Sequence, residues 1–440
     1  MEMAKSKSNH YPAFLGIDVG TSGIRAIVIN SKLDVLASSM LDMPEPLQSQ
    51  TDYSEQEPLI WWQTLGSVLT ELATQFDFKQ ISTISLDATS GTVLLINQHG
   101  EPLSTGLMYN DQRASDFVHK IKQYAPSNSA TRSATSGLAK ALWLLEHSAQ
   151  PDKAHLAHQA DWLAGKLTQQ FHQTDSNNAL KSGYDPIDKQ WPEWLSRLGI
   201  QTSQLPTVTD SGTLLGFLDS TIIQQFGFNP EVRFVSGTTD STAALLATGA
   251  SKIGDAVTSL GSTLVLKIIS DKPVFSSEEG IYSQPFGQHW LVGGASNSGG
   301  AVLRHYFSDE QMSQLETQLQ PSQPTGLNYY PLLQFGERFP INNPQQQACL
   351  TPRPKSDASF FQAILEGITS IEKIGYNALQ QHGAPAPQRL FTVGGGTKNK
   401  GWSDIRNQAL NIPMHKVLNP HAAFGAALIA KQGYDSLKNS

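Results

Sequence analysis

A mixed α/β fold built from two similar halves is predicted by three features of this sequence. The chain has 440 residues, which is more than one hydrophobic core usually serves. A β-hairpin with a glycine- and hydroxyl-rich tip is predicted near residues 14–29, and a second near residues 255–269. Each is followed by a third strand, a helix and a further strand, which indicates two similar domains that face one cleft. Chance resemblance between two hairpins is the alternative.

The first half is predicted to open with an antiparallel meander, since a strand at residues 34–41 follows the hairpin. A helix is expected from Pro58 to about residue 76, because apolar residues recur there at helical spacing: Leu59, Trp62, Leu65, Leu69 and Leu72. The Trp61–Trp62 pair on this helix is predicted to be core rather than a sugar platform. Strands are expected at residues 81–86 and 92–96.

The second half repeats this order at longer spacing. Its third strand is expected at residues 290–294, and a helix at residues 358–381. That helix shows one apolar face, made of Phe361, Ile364, Leu365, Ile368 and Ile371. A strand at residues 390–393 then enters a glycine-rich turn.

The composition restricts the class of protein and its surroundings. Hydrophobic residues make up 39% and charged residues 16%, with a net charge of -7, which argues against a nucleic-acid or anionic-membrane footprint. The one cysteine, Cys349, excludes an intramolecular disulfide and favours a reducing compartment. No stretch reaches the roughly 18 apolar residues that span a bilayer. Residues 1–11 are polar and basic and lack the apolar region of a secretory signal, so they are expected to form a disordered tail. Together these features predict a cytoplasmic protein.

The tip of the first hairpin carries groups that suit a phosphate and a metal ion. Asp18, Gly20, Thr21 and Ser22 combine a carboxylate, two hydroxyls and a backbone that an anion can approach. Asp18 ends the first strand, where it is well placed to hold Mg²⁺ beside a nucleotide phosphate. The spacing is neither a Walker pattern nor a Rossmann fingerprint. An ordinary glycine-rich turn is the alternative.

Asp240 is the candidate general base. It lies in the segment 236–242 between a short strand and an Ala/Leu-rich helix, where the helix dipole favours its ionised form. As a base it would take the proton of a substrate hydroxyl while a phosphoryl group arrives. The alternative is a helix N-cap, which Asp forms routinely.

Two further glycine-rich segments could hold a nucleotide. The tip Gly261–Thr263 could clamp a triphosphate from the side opposite Thr21 and Ser22. The run Gly394, Gly395 and Gly396 leaves no side chain between the backbone and a flat ligand such as adenine, although a tight turn without a ligand is equally glycine-rich.

Two polar loops, at residues 85–92 and 109–113, offer hydroxyls, amides and carboxylates that suit a polyol. Turn chemistry explains the same residue types without any ligand. The histidines show no metal-binding spacing, so a zinc site is not expected.

The order of seven segments resembles the FGGY family of carbohydrate kinases over nearly the whole chain. The segments are residues 14–29, 54–62, 140–146, 161–168, 174–179, 394–402 and 422–428. The resemblance implies two actin-like, ribonuclease-H-like domains with ATP and sugar in the cleft between them. The implied boundaries are 12–250, completed by a C-terminal helix at 420–440, and 251–419.

The resemblance also implies roles for individual residues. The family's base falls on Asp240, its metal and phosphate carboxylate on Asp18, and its γ-phosphate hydroxyl on Thr21. Phosphates would also meet Gly20, Ser22, Gly261, Ser262 and Thr263. The adenosine would meet Gly394, Gly395, Gly396, Asn399 and Trp402. ATP and Mg²⁺ are the implied cofactors.

Within the family, the chain is most similar to the short pentulose kinases of cyanobacteria and plants. The loop 86–92 carries this similarity, which implies D-ribulose as substrate, phosphorylated at O5, and a sugar site lined by Thr89, Ser90, Asp111, Asp240 and Ser241. Many relatives carry Trp where this chain has Tyr109.

A monomer or homodimer is expected. Xylulose, other polyols and glycerol are alternative substrates; the alternative classes are an actin-like or chaperone-type ATPase and an inert sugar-binding relative.

Overall fold

The computed structural model describes residues 12–439, so the predicted tail at residues 1–11 lies outside the described residues. The described chain divides into two compact units, residues 12–247 with 421–439, and Thr248–Pro420. The boundaries predicted from the sequence lie at residues 250 and 420. No helix in the described range is long and apolar enough to cross a membrane.

The first unit combines a large mixed sheet with smaller sheets and short helices. Its strands are β1 (Ala13–Val19), β2 (Gly23–Asn30), β3 (Val35–Asp42), β4 (Glu55–Gln56), β5 (Ile81–Ala88), β6 (Val93–Ile96), β7 (Gly106–Leu107), β8 (His155–His158), β9 (Gln173–Asp175), β10 (Thr207–Thr209), β11 (Leu214–Phe217), β12 (Arg233–Val235) and β13 (Thr238–Thr239). Its helices up to residue 247 are α1 (Pro58–Gln75), α2 (Phe117–Tyr124), α3 (Gly137–Glu146), α4 (Gln159–Thr168), α5 (Ser176–Leu180), α6 (Ser220–Phe226) and α7 (Asp240–Ala247).

The large sheet has the strand order β11-β12-β5-β1-β2-β3, with β13 beside the end of β5. The strands β1, β2 and β3 form the predicted antiparallel meander, whereas β5 runs parallel to β1. In this register Asp18 lies opposite Asp87, and Thr238 lies on the other side of Asp87. The ends of three neighbouring strand segments therefore meet at one edge of the sheet.

The helix α1 begins at Pro58, whose fixed φ suits the first helical position. Leu65, Leu69 and Leu72 are buried against the sheet, as their spacing predicts. Leu59 is wrongly placed on that face by the sequence, because its side chain is 55% exposed. Trp61 is fully buried and donates from Nε1 to Gln56 Oε1 at 2.6 Å, which confirms it as a core residue.

The second unit has its own six-stranded sheet. Its strands are β14 (Asp255–Leu260), β15 (Leu264–Ser270), β16 (Tyr282–Phe286), β17 (His289–Ser296), β18 (Arg389–Val393) and β19 (Met414–His415). Its helices are α8 (Gly300–Tyr306), α9 (Asp309–Glu316), α10 (Asp357–Gln381) and α11 (Lys400–Leu410). The order is β16-β17-β15-β14-β18-β19, with β18 parallel to β14. An antiparallel meander joined to a parallel strand therefore occurs in both units, as the resemblance to ribonuclease-H-like domains predicts.

The apolar face predicted for the long helix is confirmed in α10. Phe361, Ile364, Leu365, Ile368 and Ile371 are all buried in the core of the second unit. Ser356 caps the helix by accepting from the N–H of Ser359.

The last helix, α12 (Ala422–Asn439), packs on β1 and α7 of the first unit. The approach is close enough to require glycine: a Cβ on Gly16 would lie 2.0 Å from the carbonyl oxygen of Ala423. A Cβ on Gly425 would lie 1.9 Å from the carbonyl oxygen of Ala243. The first unit is therefore completed by the end of the chain.

Candidate active site

Carboxylates of the first unit collect where β1, β5 and β13 end. Asp18 and Asp87 are paired across two parallel strands, and Asp240 opens α7 directly after β13. The charges of Asp18, Asp240 and Asp175 all raise the pKa of Asp87. We call Asp18, Asp87, Asp175 and Asp240 the acid cluster.

Asp240 is half-buried at the start of α7. Its carboxylate accepts the N–H of the adjacent Ser241 at 2.6 Å and the N–H of Ser90. A helix cap bonds N–H groups two or three residues onward, so these contacts differ from ordinary capping. Burial, and after it the charge of Asp18, raises the pKa of Asp240 to about 6, against the lowering effects of the Ser241 N–H and of the charge of Lys181. A carboxylate that titrates near neutrality suits a general base.

Asp87 belongs to the site although the sequence analysis did not select it. Its side chain has no exposed surface, and apart from the carboxyl group of Asp18 no described group bonds either carboxylate oxygen. Burial, followed by the charge of Asp18, raises its pKa well above 3.8. The missed signal was the register of two parallel strands, which a single sequence does not reveal.

The first hairpin tip is a tight turn closed by the N–H of Gly20, which donates to Gly23 O at 3.0 Å. Ser22 is exposed and Thr21 half-buried. Among the described residues, no side chain bonds either hydroxyl. Burial raises the pKa of Asp18, and its hydrogen bond with Asp87 and the charge of Arg25 lower it. The tip thus offers donors next to a carboxylate.

The loop after β5 places its polar side chains in two different environments. Thr89 is buried and bonds Thr92 Oγ1 at 2.5 Å and Gln159 Oε1 at 2.9 Å. Gln159 is fully buried, and its Nε2 has no acceptor among the described residues. Ser90 is half-buried and Ser241 is exposed. Gln159, which opens α4, is a further polar group that the sequence analysis did not select.

The structure places Asp111 away from solvent. Its Oδ2 accepts the Ser54 N–H at 2.7 Å and Arg113 Nε at 2.9 Å, while Oδ1 accepts the Arg113 N–H at 3.1 Å. Arg113 in turn forms an ion pair with Glu55 at 2.7 Å. Lys140, also fully buried, donates to Met108 O at 2.7 Å, and burial lowers its pKa to about 7. Asp111 therefore holds the loop 109–113 in shape.

Lys181 is the positively charged residue that lowers the pKa of Asp240. The sequence analysis did not select it. Its Nζ donates to Ser90 O at 3.2 Å, and its Cδ lies 3.3 Å from the position a Cβ would take on Gly91. The segment is anchored by the next residue, because Ser182 Oγ lies 2.9 Å from His158 Nε2, and His158 Nδ1 lies 2.5 Å from Asp161 Oδ2. The sequence feature that could have identified Lys181 is its position just after residues 174–179, one of the seven segments that carry the family resemblance.

The second unit holds its first glycine tip against the start of α8. Gly261 O and Ser262 O accept the N–H groups of Gly300 and Ala301 at 2.9 and 3.0 Å. Arg304, an exposed residue of α8, donates from Nη2 to Ser262 Oγ at 2.7 Å. The tip therefore presents a hydroxyl beside a guanidinium group, a pair that attracts anions.

The second glycine segment of this unit follows β18. Gly394 has φ 91°, which favours glycine, and a Cβ on Gly395 would meet open space. A Cβ on Gly396 would lie 2.5 Å from Cζ3 of Trp402, which is 1% exposed and donates from Nε1 to Thr369 Oγ1 at 3.1 Å. Asn399 caps α11 by accepting the Trp402 N–H at 2.7 Å. Trp402 thus lies beneath the loop rather than on its open side.

A hard cation such as Mg²⁺ fits the Asp18–Asp87 pair. Two carboxyl groups face each other there, and no described group other than Asp18 bonds the oxygens of Asp87. No group of three or more His, Cys, Asp or Glu side chains in residues 12–439 is arranged to hold a metal. Mg²⁺ commonly binds one or two carboxylates and completes its shell with phosphate oxygens and water, so the pair is sufficient.

Two family models match this chain over most of its length. The N-terminal domain of the FGGY family of carbohydrate kinases matches residues 13–247, and the C-terminal domain matches residues 256–432. The chain belongs to the FGGY family of carbohydrate kinases. It is therefore an ATP-dependent phosphotransferase whose acceptor is an alcohol group of a sugar.

Relatives of known name cover nearly the whole chain at low identity. Xylulose kinase from Staphylococcus xylosus is 24% identical over 95% of this chain and 90% of its own length. Gluconokinase from Bacillus subtilis is 24% identical over 91% and 84%. The solved xylulose kinase of Rhodospirillum rubrum superposes with a TM-score of 0.86 at 22% identity, covering 96% of this chain and 90% of that one. Plasmodium falciparum glycerol kinase with ADP gives 0.84 at 19%, covering 98% and 92%.

Proposed function

We propose that this kinase phosphorylates a ketopentose, namely D-ribulose at O5, to give D-ribulose 5-phosphate in the cytoplasm. The single observation that carries the proposal is the environment of Asp240. A half-buried carboxylate with a pKa of about 6 opens a helix next to a loop of hydroxyl-bearing residues. The choice of D-ribulose rests on the similarity of the loop 86–92 to short pentulose kinases.

The proposed reaction starts at the terminal hydroxyl of the sugar. Asp240 accepts the proton of this hydroxyl, the sugar oxygen forms a bond to the γ-phosphorus of ATP, and the bond to the β,γ-bridging oxygen breaks, leaving ADP. The N–H groups of Ser90 and Ser241 hold the carboxylate in its orientation. The charge of Lys181 keeps a larger share of Asp240 ionised.

Nucleotide contacts are assigned separately in the two units. In the first, Thr21, Ser22 and the N–H groups near Gly20 would bind phosphate oxygens, and Asp18 would hold Mg²⁺. When bound, Mg²⁺ supplies positive charge that spreads the developing negative charge of the phosphates. In the second unit, the tip Gly261–Thr263 and Arg304 would bind phosphate oxygens.

The adenosine is assigned to the glycine segment after β18. Gly394, Gly395 and Gly396 leave an open backbone surface, which suits a flat base. Asn399 and Trp402 would act by fixing this segment, because Asn399 caps α11 and Trp402 is buried under Gly396.

The sugar is assigned to the loop after β5 and its neighbours. Ser90, Ser241 and the free amide of Gln159 offer hydrogen bonds to hydroxyl groups, while Thr89 holds Gln159 in place. Asp111 would act on the sugar indirectly, by fixing the loop whose exposed tip includes Tyr109 and Asn110.

D-Xylulose is the second candidate, because relatives named xylulose kinase align over 95% of this chain. D-Ribulose and D-xylulose differ only in the configuration at C3, so small changes in hydroxyl contacts separate them.

A coupled assay of ADP release should compare D-ribulose, D-xylulose, ribitol, glycerol and gluconate. We expect the highest kcat/KM for D-ribulose, by about tenfold or more, since lost hydrogen bonds penalise the wrong epimer. The product should show phosphate on C5 by phosphorus and carbon NMR. A higher kcat/KM for D-xylulose would replace the proposed substrate, and ADP release indifferent to every sugar would contradict the proposed function.

A further inference from the structure

Asp87 is a fully buried acid of the first unit that the proposed mechanism does not use. It lies among the other acids of the cluster and has no exposed surface, and its carboxylate oxygens are bonded by no described group apart from the carboxyl group of Asp18. Buried carboxylates are normally bonded or paired with a cation, because leaving them without either is costly. Besides the carboxyl group of Asp18, the described residues offer Asp87 no hydrogen-bond donor, so a bound cation would satisfy its oxygens.

The geometry restricts what this partner is. Asp18 lies opposite Asp87 in the parallel register of β1 and β5, and the two carboxyl groups are close enough to share a proton. Asp175, the next acid of the cluster, is already occupied by the N–H groups of Asn177 and Asn178 at 2.8 and 3.1 Å. Asp87 and Asp18 are thus the two facing groups left to hold a positively charged ligand.

We propose that Asp87 is the second protein ligand of a divalent-cation site, facing Asp18. This inference deepens the proposed function, because the cation is the one that accompanies the nucleotide. Two carboxylates on adjacent parallel strands form a rigid pair, and such a pair suits the strict geometry of Mg²⁺ better than a single carboxylate on a hairpin. The orphaned oxygens of Asp87 are satisfied when the cation is bound.

The test measures cation binding itself. Mn²⁺ is titrated into the full-length protein with and without ADP, and free Mn²⁺ is counted by electron paramagnetic resonance. We expect Asp87→Asn to weaken Mn²⁺ binding by about tenfold or more, comparably to Asp18→Asn. Asp210, an exposed acid of the same unit paired with Lys189, supplies the control Asp210→Asn, which should stay within about twofold of the unchanged protein.

Thermal unfolding separates lost ligation from lost folding. Without divalent cations, Asp87→Asn should melt at or above the temperature of the unchanged protein, because it removes a buried carboxylate that lacks a donor. The increase of Tm on adding Mg²⁺ and ADP should shrink in the variant. Mn²⁺ binding by Asp87→Asn equal to that of the unchanged protein would overturn the proposal and leave a proton shared with Asp18 as the role of Asp87.

A change of metal preference tests direct ligation even if the Asn variant fails to fold. Asp87→Cys, in a background with Cys349→Ser, should bind Mn²⁺ poorly and Cd²⁺ well, because a thiolate favours soft metals. Equal loss of both metals in a folded variant would overturn the proposal. Sugar phosphorylation by the unchanged protein is recorded in parallel, so a wrong substrate assignment is distinguished from a wrong metal ligand.

Discussion

At the scale of single residues, opposing influences set the proton affinity of Asp240. Burial raises its pKa and the N–H of Ser241 and the charge of Lys181 lower it, and the balance leaves the pKa at about 6. The ionised form is the one that accepts a proton from the sugar. Activity should therefore fall as pH drops through the pKa of Asp240, and any loss of the nearby positive charge should move this fall to higher pH.

Replacing Lys181 tests this balance. Lys181→Met should raise the pKa of Asp240, so the acid limb of the kcat/KM profile against pH should shift upward, whereas Lys181→Arg should keep most of the original profile. The profile is measured by coupled ADP release. Lys189→Met is the control, because Lys189 is 64% exposed and pairs with Asp210. An unshifted acid limb in Lys181→Met would contradict the assigned electrostatic role.

What the sequence predicts at this scale depends on how local the signal is. Asp18 and Asp240 stand at recognisable turns, so each could be selected from its neighbours along the chain. Asp87 and Lys181 join them through strand register and tertiary contacts, which no local pattern contains. Trp402 was expected at the adenosine, yet its indole is buried, because a motif fixes a residue's place in the chain but not the direction of its side chain.

At the scale of secondary-structure elements, a buried ionic network ties the nucleotide loops of the second unit to its helices. Glu372 on α10 accepts Arg406 of α11 at 2.7 Å through both oxygens, and Thr258 of β14 at 2.5 Å. Arg406 also donates to Thr392 of β18 at 3.0 Å. The two strands held in this way lead directly into the tips at Gly261 and Gly394.

Breaking one partner of this network should destabilise the second unit strongly. Arg406→Met leaves Glu372 buried without its cation, so we expect a loss of about 3–5 kcal/mol in the free energy of unfolding, measured with urea. The double variant Arg406→Met/Glu372→Leu should recover part of this loss. Arg353→Gln, at an exposed ion pair with Asp357, should cost less than about 1 kcal/mol. Similar losses for Arg406→Met and Arg353→Gln would contradict the assigned importance of the buried pair.

The predicted elements agree best with the structure where the periodic signal is long. The predicted apolar face of α10 spans about three turns, from Phe361 to Ile371, and the predicted start of the helix differs by one residue. Leu59 is exposed because it lies outside the buried face of α1, which in the first turn is formed by Pro58 and Trp61. The short strand β13 was not predicted, since two residues carry no period.

At the scale of the whole molecule, the chain leaves the first unit after residue 247 and returns to it at residue 421. The helix α12 packs against β1, β5 and α7, the elements that carry Asp18, Asp87 and Asp240. Its docking depends on glycines and alanines that allow backbone atoms to approach closely. The acid cluster is therefore supported by residues from both ends of the chain.

A single added methyl group should disturb this support. Gly16→Ala would place a Cβ 2.0 Å from Ala423 O and 2.1 Å from Ala427 N, so we expect a loss of about 1–3 kcal/mol or more in stability, together with reduced kinase activity. Gly66→Ala in α1 is the matched control, because a Cβ there meets open space; it should stabilise by about 0.5–1 kcal/mol. Equal thermal stability of the two variants would contradict the close packing of α12.

The most direct test of the account is the replacement of its proposed base. Asp240→Asn keeps the size of the side chain and removes its ability to accept the sugar proton. Phosphorylation of D-ribulose, followed by ADP release, should fall by about 100- to 10,000-fold, while the affinity for MgADP measured by calorimetry should change little. Turnover of the Asn variant comparable to that of the unchanged protein would contradict the assignment of Asp240 as the base.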